Sequence, residues 1–253
     1  MPDNAERPVW RPGAVGGESF DATERHPTSD QTNCKGHQID VAAAAHFLKS
    51  LDPDATKFTF ETFDDNAERR QTNKAPLKDK KTGELIRDKH GKLVEGKDPF
   101  AQIYHGTLDQ RCDQLQAFND LGAGVFVTVN ETDLKGRKNA NIKRIRVVFT
   151  ELDGQSLGPV LNDPDLPKPH ITVQSSPGEH WHAYWRVTGI ALRDFKKVQK
   201  ALIARFNSDP SVHDLPRVMR LPGFYHRKGQ TVRACIVAWA CKRGSLEVVT
   251  NSS

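Results

Sequence analysis

The stretch of the sequence that most constrains the fold runs from residue 145 to residue 154. It is an apolar, β-branched run that ends in two carboxylates, Glu151 and Asp153, separated by one residue and followed by Gly154. Alternate side chains of a β-strand point to the same face, so both carboxylates are expected on one side of a sheet. Such a pair can hold a divalent cation. The stretch alone fits equally an ordinary strand that runs into an Asp-Gly turn.

Composition limits the class of protein. The 253 residues are 36% hydrophobic, which is enough for a core, and the net charge of +5 permits a polyanionic partner without requiring one. The four cysteines are scattered without a CxxC pair, so neither a disulfide framework nor a zinc site is expected. The sequence has no long apolar run and no secretory leader. We therefore expect a reduced, cytoplasmic protein without a membrane partner.

The chain divides into one predicted domain and two appendages. Residues 1–38 are rich in Pro, Gly, Asp and Asn and are predicted to form a flexible N-terminal arm, and residues 246–253 a polar tail. The predicted domain spans residues 39–245. Within it, residues 74–97 carry eight Lys/Arg against four Asp/Glu, with Lys-Thr-Gly and His-Gly as turn signals. This pattern predicts a protruding basic β-ribbon, either a solvated hairpin or a contact for a nucleic-acid backbone.

Periodicity of the apolar residues gives the order of the elements. Helical spacing with capping residues predicts helices at 41–51, from 108 to about 121, and 195–206. Alternation or short apolar runs predict strands at 57–63, 100–104, 124–129, 145–153, 170–174, 181–187 and 232–239, the first of them half-buried. Strands recur without regular helical crossovers. This order favours an α+β fold over a doubly wound parallel sheet.

A serine-rich turn follows the strand at 170–174. Ser175 and Ser176 precede Pro-Gly, and His182 lies on the returning strand. Hydroxyls and backbone N–H groups of such a turn can bind phosphate oxygens, and a nearby histidine adds a further donor. Ordinary hairpin chemistry explains the same residues equally well.

The loop after the last predicted helix combines acidic and basic residues. Asp209 and Asp214 are both candidates for a third carboxylate, and Arg217, Arg220 and Lys228 can bind phosphate. Neighbouring apolar residues should tie this loop to the core and so aim its arginines. Three acids, a Ser/His turn and a basic loop together predict phosphoryl or nucleotidyl transfer with two metal ions.

These motifs, in this order, resemble the archaeo-eukaryotic primase-polymerase superfamily, and among its members the RepB-like plasmid and phage primases. The resemblance covers about residues 40–240 and rests on the acid-x-Asp-Gly strand end, on Ser-Ser-Pro-Gly followed by His-x-Tyr-Trp, and on Asp-(x)7-Arg-x-x-Arg-Leu-Pro-Gly before a lysine. It implies an RRM-like mixed or antiparallel sheet with flanking helices.

The resemblance also implies roles for individual residues. Two Mg²⁺ or Mn²⁺ ions would be held by Glu151, Asp153 and Asp209, with Asp214 as the other choice for the third ligand. The family usually begins the first motif with Asp, whereas this chain has Glu151. Incoming nucleotide and template would be bound by Ser175, Ser176, His182, Arg217, Arg220 and Lys228.

The implied function is synthesis of short primers on single-stranded DNA from nucleoside triphosphates, for plasmid or phage replication beside a separate helicase or polymerase. Two alternatives stay open. His180 and His182 flank a tryptophan, as in replication-initiator nicking enzymes, but Tyr104, Tyr184 and Tyr225 all lie outside helical patterns, where such an enzyme would carry its nucleophile. A non-catalytic nucleic-acid-binding module would display aromatic residues where this strand carries carboxylates.

Overall fold

The computed structural model describes residues 9–12, 39–228, 232–239 and 246–249. Its helices are α1 (Val41–Leu51), α2 (Ala67–Asn73), α3 (Leu108–Asp120), α4 (Gly158–Leu161) and α5 (Phe195–Phe206). Its strands are β1 (Val9–Pro12), β2 (Phe58–Asp64), β3 (Gln102–Gly106), β4 (Ala123–Thr128), β5 (Glu131–Thr132), β6 (Ile142–Arg144), β7 (Val147–Asp153), β8 (Ile171–Ser176), β9 (His180–Thr188), β10 (Val218–Arg220), β11 (Tyr225–His226), β12 (Val232–Arg233), β13 (Cys235–Trp239) and β14 (Leu246–Val249).

The larger sheet is built around β9. This strand pairs antiparallel with β7 along the whole of β7 and with β8, and β8 pairs in turn with β13. The sheet continues through a parallel contact of β9 with β14, which pairs with β1. Tyr184 and Trp185 of β9 and Phe149 of β7 are fully buried, which anchors the middle of the sheet in the core. The sheet is therefore mixed, with mostly antiparallel pairs.

The smaller sheet has the strand order β10-β4-β2-β3 and is antiparallel throughout. The sequence predicted β2 as half-buried, but six of its seven residues are buried and only Phe63 is partly exposed. Phe58 and Phe60 lie in the core on one face, whereas Phe63 lies on the opposite face with polar residues, and that face is covered as well. Thr59 of that face forms hydrogen bonds with Thr132 and His105, at 2.6 Å and 2.8 Å.

The predicted helices are present, and their ends have the expected caps. The Asp40 side chain accepts the Ala43 N–H at 2.9 Å at the start of α1. Thr107 and Gln110 form a capping box on α3, and Asn207 ends α5 in the left-handed region at φ 49°. One apolar residue was misplaced: Leu121, predicted on the apolar face of α3, is 66% exposed because the helix has already ended at Asp120.

The chain ends differ from the prediction at two places. Val9–Pro12 lies in the predicted flexible arm and Leu246–Val249 in the predicted polar tail, yet these segments pair with each other as β1 and β14. The pairing depends on residues far apart in sequence, so local composition could not indicate it. The remainder of the predicted arm lies outside the described residues. In the described part of the chain, no helix combines the length and apolarity needed to span a membrane.

The basic segment 74–97 also differs in detail. The sequence predicted a protruding basic β-ribbon, and the structure has three short segments joined by isolated bridges at Pro76–Glu95, Lys78–Leu85 and Arg87–Leu93. The turns predicted at Lys-Thr-Gly and His-Gly are present, with Gly83 and Gly91 at positive φ. The short helix α2, which precedes this segment, was not predicted because it buries none of its residues.

Candidate active site

A cleft of about 470 Å³ is lined by residues from both sheets. The larger sheet contributes β7, β8 and β9, and the smaller sheet contributes β2, β4 and β10 together with the segment after β10. Of the residues predicted from the sequence, the cleft brings together Glu151, Asp153, Ser175, Ser176, His182, Arg217, Arg220 and Lys228. Asp209 and Asp214 are not among the lining residues.

The register between β7 and β9 sets a histidine opposite each carboxylate. Glu151 pairs with His182 and Asp153 with His180. The His182 Nε2 atom lies 3.7 Å from Glu151 Oε1, and the His180 Nδ1 atom contacts Asp153 Oδ1. Because alternate residues share a face, all four side chains are directed into the same cleft. The two carboxylates thus project from one side of the sheet, as the sequence predicted.

Tyr184 fixes the orientation of His182. Its hydroxyl lies 3.1 Å from His182 Nδ1, two residues along the same face of β9. Burial, and next the negative charge of Glu151, raise the pKa of Tyr184 well above its usual value, so the phenol stays protonated. A buried hydroxyl needs an acceptor for its hydrogen, and Nδ1 supplies one. When Nδ1 accepts this hydrogen bond, Nε2, the nitrogen nearer Glu151, carries the hydrogen of the imidazole.

The charge of Glu151 is stabilised within the cleft. Burial raises the pKa of this carboxyl, but its interaction with His182 and the charge of Arg217 lower the pKa more. The net effect is a pKa below the ordinary value. Since the Glu151 side chain keeps 34% of its surface exposed, it is an ionised carboxylate that a ligand in the cleft can reach.

Both serines of the turn at the end of β8 line the cleft. Neighbouring residues of a regular strand point to opposite faces, yet Ser175 and Ser176 both line the same cavity. The pairing of β8 with β9 is irregular between Gln174 and Ser176, and such an irregularity redirects side chains. Gly178, with φ 83°, closes the turn. Both serines therefore line the cleft, and the Ser175 hydroxyl donates to the His180 carbonyl at 3.4 Å.

Neither candidate for the third carboxylate, Asp209 or Asp214, lines the cleft with Glu151 and Asp153. The Asp209 side chain is exposed and accepts the Ser211 N–H at 2.8 Å, and this hydrogen bond lowers the pKa of Asp209. Asp214 lies 2.8 Å from Arg217 Nε. Across the described ranges, no three His, Cys, Asp or Glu side chains converge on a point that could hold a metal ion. The choice between Asp209 and Asp214 stays a prediction.

The three predicted basic residues have unequal partners. Arg220 forms two hydrogen bonds with Asp65, at 3.0 Å and 2.9 Å, and its guanidinium lies 4.7 Å from the centre of the Phe126 ring. Two of its five N–H donors are therefore engaged by a carboxylate of the protein. Arg217 forms an ion pair with Asp214 and donates a hydrogen bond to the Ser211 carbonyl, whereas Lys228 is exposed at the edge of the cleft.

Several lining residues were not predicted. Phe63 and Phe126 stack in the wall of the smaller sheet with ring centres 4.1 Å apart, and Asp65 and His226 lie beside them. Burial, followed by the charge of Arg220, lowers the pKa of His226 to about 4, so this imidazole is neutral near pH 7. Aromatic alternation before Asp64 and Asp65 was visible in the sequence. Nothing in the sequence indicated that β2 and β10 line the same cleft.

Comparison with known proteins gives one family and three similar structures. Residues 149–248 match the family model of the RepB DNA-primase N-terminal domain. The fold is similar to the archaeo-eukaryotic primase domain of the cyanophage S-2L primase-polymerase, with a TM-score of 0.58, 18% identity, and 81% of this chain and 92% of that chain covered. No curated protein matches the sequence significantly.

Two structures of the primase RepB′ are also similar. One has a TM-score of 0.54 at 15% identity and covers 81% of this chain and 58% of that chain. The other, a catalytic domain in complex with initiator DNA, has a TM-score of 0.50 at 17% identity and covers 81% and 87%. The similar structures and the observed sheets confirm the α+β primase fold that the sequence predicted. The chain therefore has the fold of these primase structures over 81% of its length, and its residues 149–248 match the RepB DNA-primase N-terminal domain model.

Proposed function

We propose that this protein is a DNA-dependent primase-polymerase that makes short primers on single-stranded DNA by nucleotidyl transfer. The observation that carries the proposal is one cleft that is lined by Glu151 and Asp153 together with Ser175 and Ser176. His182, Arg217 and Lys228 line the same cleft. Negative groups for a cation thus lie beside positive and hydrogen-bonding groups for phosphate, which is the combination that phosphoryl transfer requires.

The two carboxylates fit a divalent cation of the Mg²⁺ or Mn²⁺ class. Mg²⁺ is commonly held by one or two protein carboxylates, with substrate phosphates and water as its other ligands. Glu151 and Asp153 would supply those carboxylates, and we propose Asp209 as an additional ligand for a second ion. Bound ions would neutralise phosphate charge and favour ionisation of the attacking 3′-hydroxyl. The low pKa of Glu151 supports this role, because the ligand is already deprotonated.

The other residues would position the nucleotide. The Nε2–H group of His182, whose tautomer is set by Tyr184, would donate to a triphosphate oxygen, and the two serine hydroxyls would do the same from the turn. Arg217 and Lys228 would add positive charge at the opposite edge. Arg220 would act differently from the prediction: its hydrogen bonds to Asp65 make it a support of the cleft wall, and Phe126 covers its planar face.

The proposed substrates are nucleoside triphosphates and a single-stranded DNA template, and a separate helicase or polymerase would use the primers in plasmid or phage replication. The similarity to a RepB′ catalytic domain solved with initiator DNA supports a DNA partner. The stacked Phe63 and Phe126 offer an apolar wall in the same cleft, which suits contact with nucleobases.

The test is primer synthesis on single-stranded DNA with labelled nucleotides and Mg²⁺ or Mn²⁺. We expect products from the wild type and a loss of at least a hundredfold in Glu151→Gln and Asp153→Asn, in line with the usual weight of charge stabilisation in such sites. Asp165→Asn is the matched control, because Asp165 is 72% exposed and pairs with Arg205 away from the cleft. Full synthesis by the Glu151→Gln/Asp153→Asn double variant would refute the proposal.

The same preparation separates the alternatives. A nicking enzyme would remain covalently attached to cut DNA through a tyrosine, and here Tyr104, Tyr184 and Tyr225 all lie on strands. Asp209→Asn and Asp214→Asn, compared side by side, decide which carboxylate assists. We expect the larger loss from Asp209→Asn, since Asp209 lies beside Glu151 in the chain's packing, with its N–H 3.5 Å from the Glu151 carbonyl oxygen.

A further inference from the structure

We propose that helix α2 and the basic segment 74–97, named here the basic insertion, extend the cleft into a track for a single nucleic-acid strand. The inference rests on the proposed function, because that function identifies the strand in the cleft as the DNA template. It adds a second binding surface outside the reaction site, formed by a segment on which the proposed chemistry does not depend.

The basic insertion has a defined shape. Leu77 N–H donates to the Val94 carbonyl at 2.8 Å, Ile86 N–H to the Leu77 carbonyl at 2.9 Å, and Val94 N–H to the Ile86 carbonyl at 2.9 Å. These three bonds close a triangle between the three segments. The carboxylates of Asp79 and Asp88 accept backbone N–H groups of the two turns. Its backbone is therefore held in place without burial against the rest of the protein.

The surface of the basic insertion suits a strand with phosphates and exposed bases. All eight of its lysines and arginines are exposed, and its formal charge is +4 from eight Lys/Arg and four Asp/Glu. Leu77, Leu85 and Ile86 are also exposed, by 43%, 44% and 38%. Exposed apolar groups among lysines are costly for a segment that contacts only water. A single nucleic-acid strand offers phosphates to the lysines and arginines and base faces to the apolar side chains.

Helix α2 connects this surface to the cleft. A second groove, of about 680 Å³, lies at the base of the basic insertion and is lined by Ala67, Arg70, Gln71, Lys74, Ala75, Pro76 and Glu95. Ala67 and Arg70 line the cleft as well. Positions 67, 70, 71 and 74 follow helical spacing and so form one face of α2. The groove therefore adjoins the cleft at that face.

Arg70 marks the junction. Its NH1 group donates to the Asp64 carbonyl at 3.1 Å, and its guanidinium lies 5.8 Å from the centre of the Phe63 ring. An arginine held over the aromatic wall at the point where cleft and groove meet can contact a phosphate of a strand that passes between them. Lys74, exposed at the C-terminal end of α2, continues the positive charge towards the basic insertion.

The experiment compares a charge reversal on the basic insertion with one elsewhere. Lys78→Glu/Lys80→Glu/Lys81→Glu changes three exposed lysines of the basic insertion. Lys196→Glu/Lys197→Glu/Lys200→Glu makes the same change on exposed positions of α5, none of which lines the cleft or the groove. The probes are fluorescent oligothymidylates of about 6 and about 24 nucleotides, within and beyond the site of a single binding fold. Anisotropy gives Kd over a series of salt concentrations, and circular dichroism verifies folding of both variants.

The expected result depends on oligonucleotide length. Loss of three phosphate contacts should make the plot of log K against log salt concentration less steep by about 2. The affinity for the long probe should decrease by about a hundredfold at about 0.1 M salt. The short probe should bind both variants as it binds the wild type, because it can occupy the cleft alone. Equal affinity of the two variants for the long probe, or an equal loss for both probes in the basic-insertion variant, would overturn the inference.

Primer synthesis on the same DNA separates this inference from the proposed function. If the wild type incorporates no nucleotide but the basic-insertion variant loses only the long probe, the proposed function fails and the track stands. If the wild type synthesises primers and the basic-insertion variant binds the long probe like the α5 variant, the track fails and the proposed function stands.

Discussion

The ion pair between Asp65 and Arg220 yields the sharpest prediction about the cleft wall. The side chains of Asp65 and Arg220 are 4% and 11% exposed, and two hydrogen bonds join them. Asp65 also accepts the Arg227 N–H at 2.8 Å, which ties the segment that carries His226 and Lys228 to the same carboxylate. The substitution Asp65→Asn keeps the shape of this side chain but removes its charge and one of its acceptor oxygens.

The expected cost follows from the charge that is left behind. Removing one partner of a buried ion pair typically costs about 3–5 kcal/mol, because the other charge stays desolvated. Asparagine keeps one acceptor oxygen, so we expect the lower end, about 3 kcal/mol of the free energy of unfolding. For a protein of this size, about 3 kcal/mol corresponds to a decrease in Tm of roughly 6–12 °C.

The assay is urea unfolding at pH 7 together with thermal unfolding. Asp214→Asn is the matched control: Asp214 also pairs with an arginine, but its side chain is 48% exposed, so about 0–1 kcal/mol is expected. The cycle of Asp65→Asn, Arg220→Met and the double variant measures the coupling directly. The double variant should lose less free energy of unfolding than the two single variants lose together.

Two results would refute this reasoning. The first is a free energy of unfolding for Asp65→Asn within about 0.5 kcal/mol of the wild type, which is the usual range of surface substitutions. The second is additive single effects in the cycle. Either would mean that the Arg220 guanidinium is solvated in the folded protein and is free to bind phosphate, as the sequence had predicted.

Three further predictions concern neighbouring residues. In Gly124→Ala the new Cβ would lie 2.7 Å from the Phe126 ring, so we expect a stability loss of about 1–3 kcal/mol in urea unfolding. Tyr184→Phe leaves His182 Nδ1 without its donor at a buried position, for which we expect a loss of about 1–3 kcal/mol and slower primer synthesis. The pKa of His226 is lowered from 6.5 to about 4 in the folded protein, so between these pH values the unfolded chain binds a proton that the folded protein does not. The free energy of unfolding should therefore fall as pH falls from about 6.5 to 4. The variant His226→Gln should flatten this pH profile.

Two of these predictions have a control in the same chain. Gly158→Ala places its Cβ 3.4 Å from the Ser156 hydroxyl on a short helix and should be nearly neutral. His90→Gln removes an exposed histidine of the basic insertion and should leave the pH profile of unfolding unchanged. A wild-type melting temperature for Tyr184→Phe with unchanged synthesis would remove the role given to the His182 tautomer.

Local patterns carried the prediction of the individual elements. Helix α3 follows from Thr107 and Gln110, whose side chains cap it without help from any other element. The β8–β9 hairpin follows from alternation on both sides of Pro-Gly, and the paired carboxylates follow from the two-residue repeat of β7. These features depend on contacts between residues close in sequence, so a single sequence contains the information they need.

Local patterns gave no indication of partners that are distant in sequence. The phosphate-binding role of Arg220 stays a prediction, but its partner Asp65, which is 155 residues away, could not be inferred from its neighbours in the chain. Strands β1 and β14 have polar neighbours and exist through pairing between the two ends of the chain. Phe63 and Phe126 form a stacked wall only because β2 and β4 are adjacent.

The sequence by itself thus determined the longer strands, the capped helices and the pair of carboxylates that project from one face of β7. Only the tertiary structure decided which charges remain available in the cleft, because burial and pairing set that outcome. Glu151 is left ionised and reachable beside His182, whereas Arg220 is taken up by Asp65. The physical reason is that a side chain's type is local, but its solvation and its partner depend on what the fold brings to within a few ångströms.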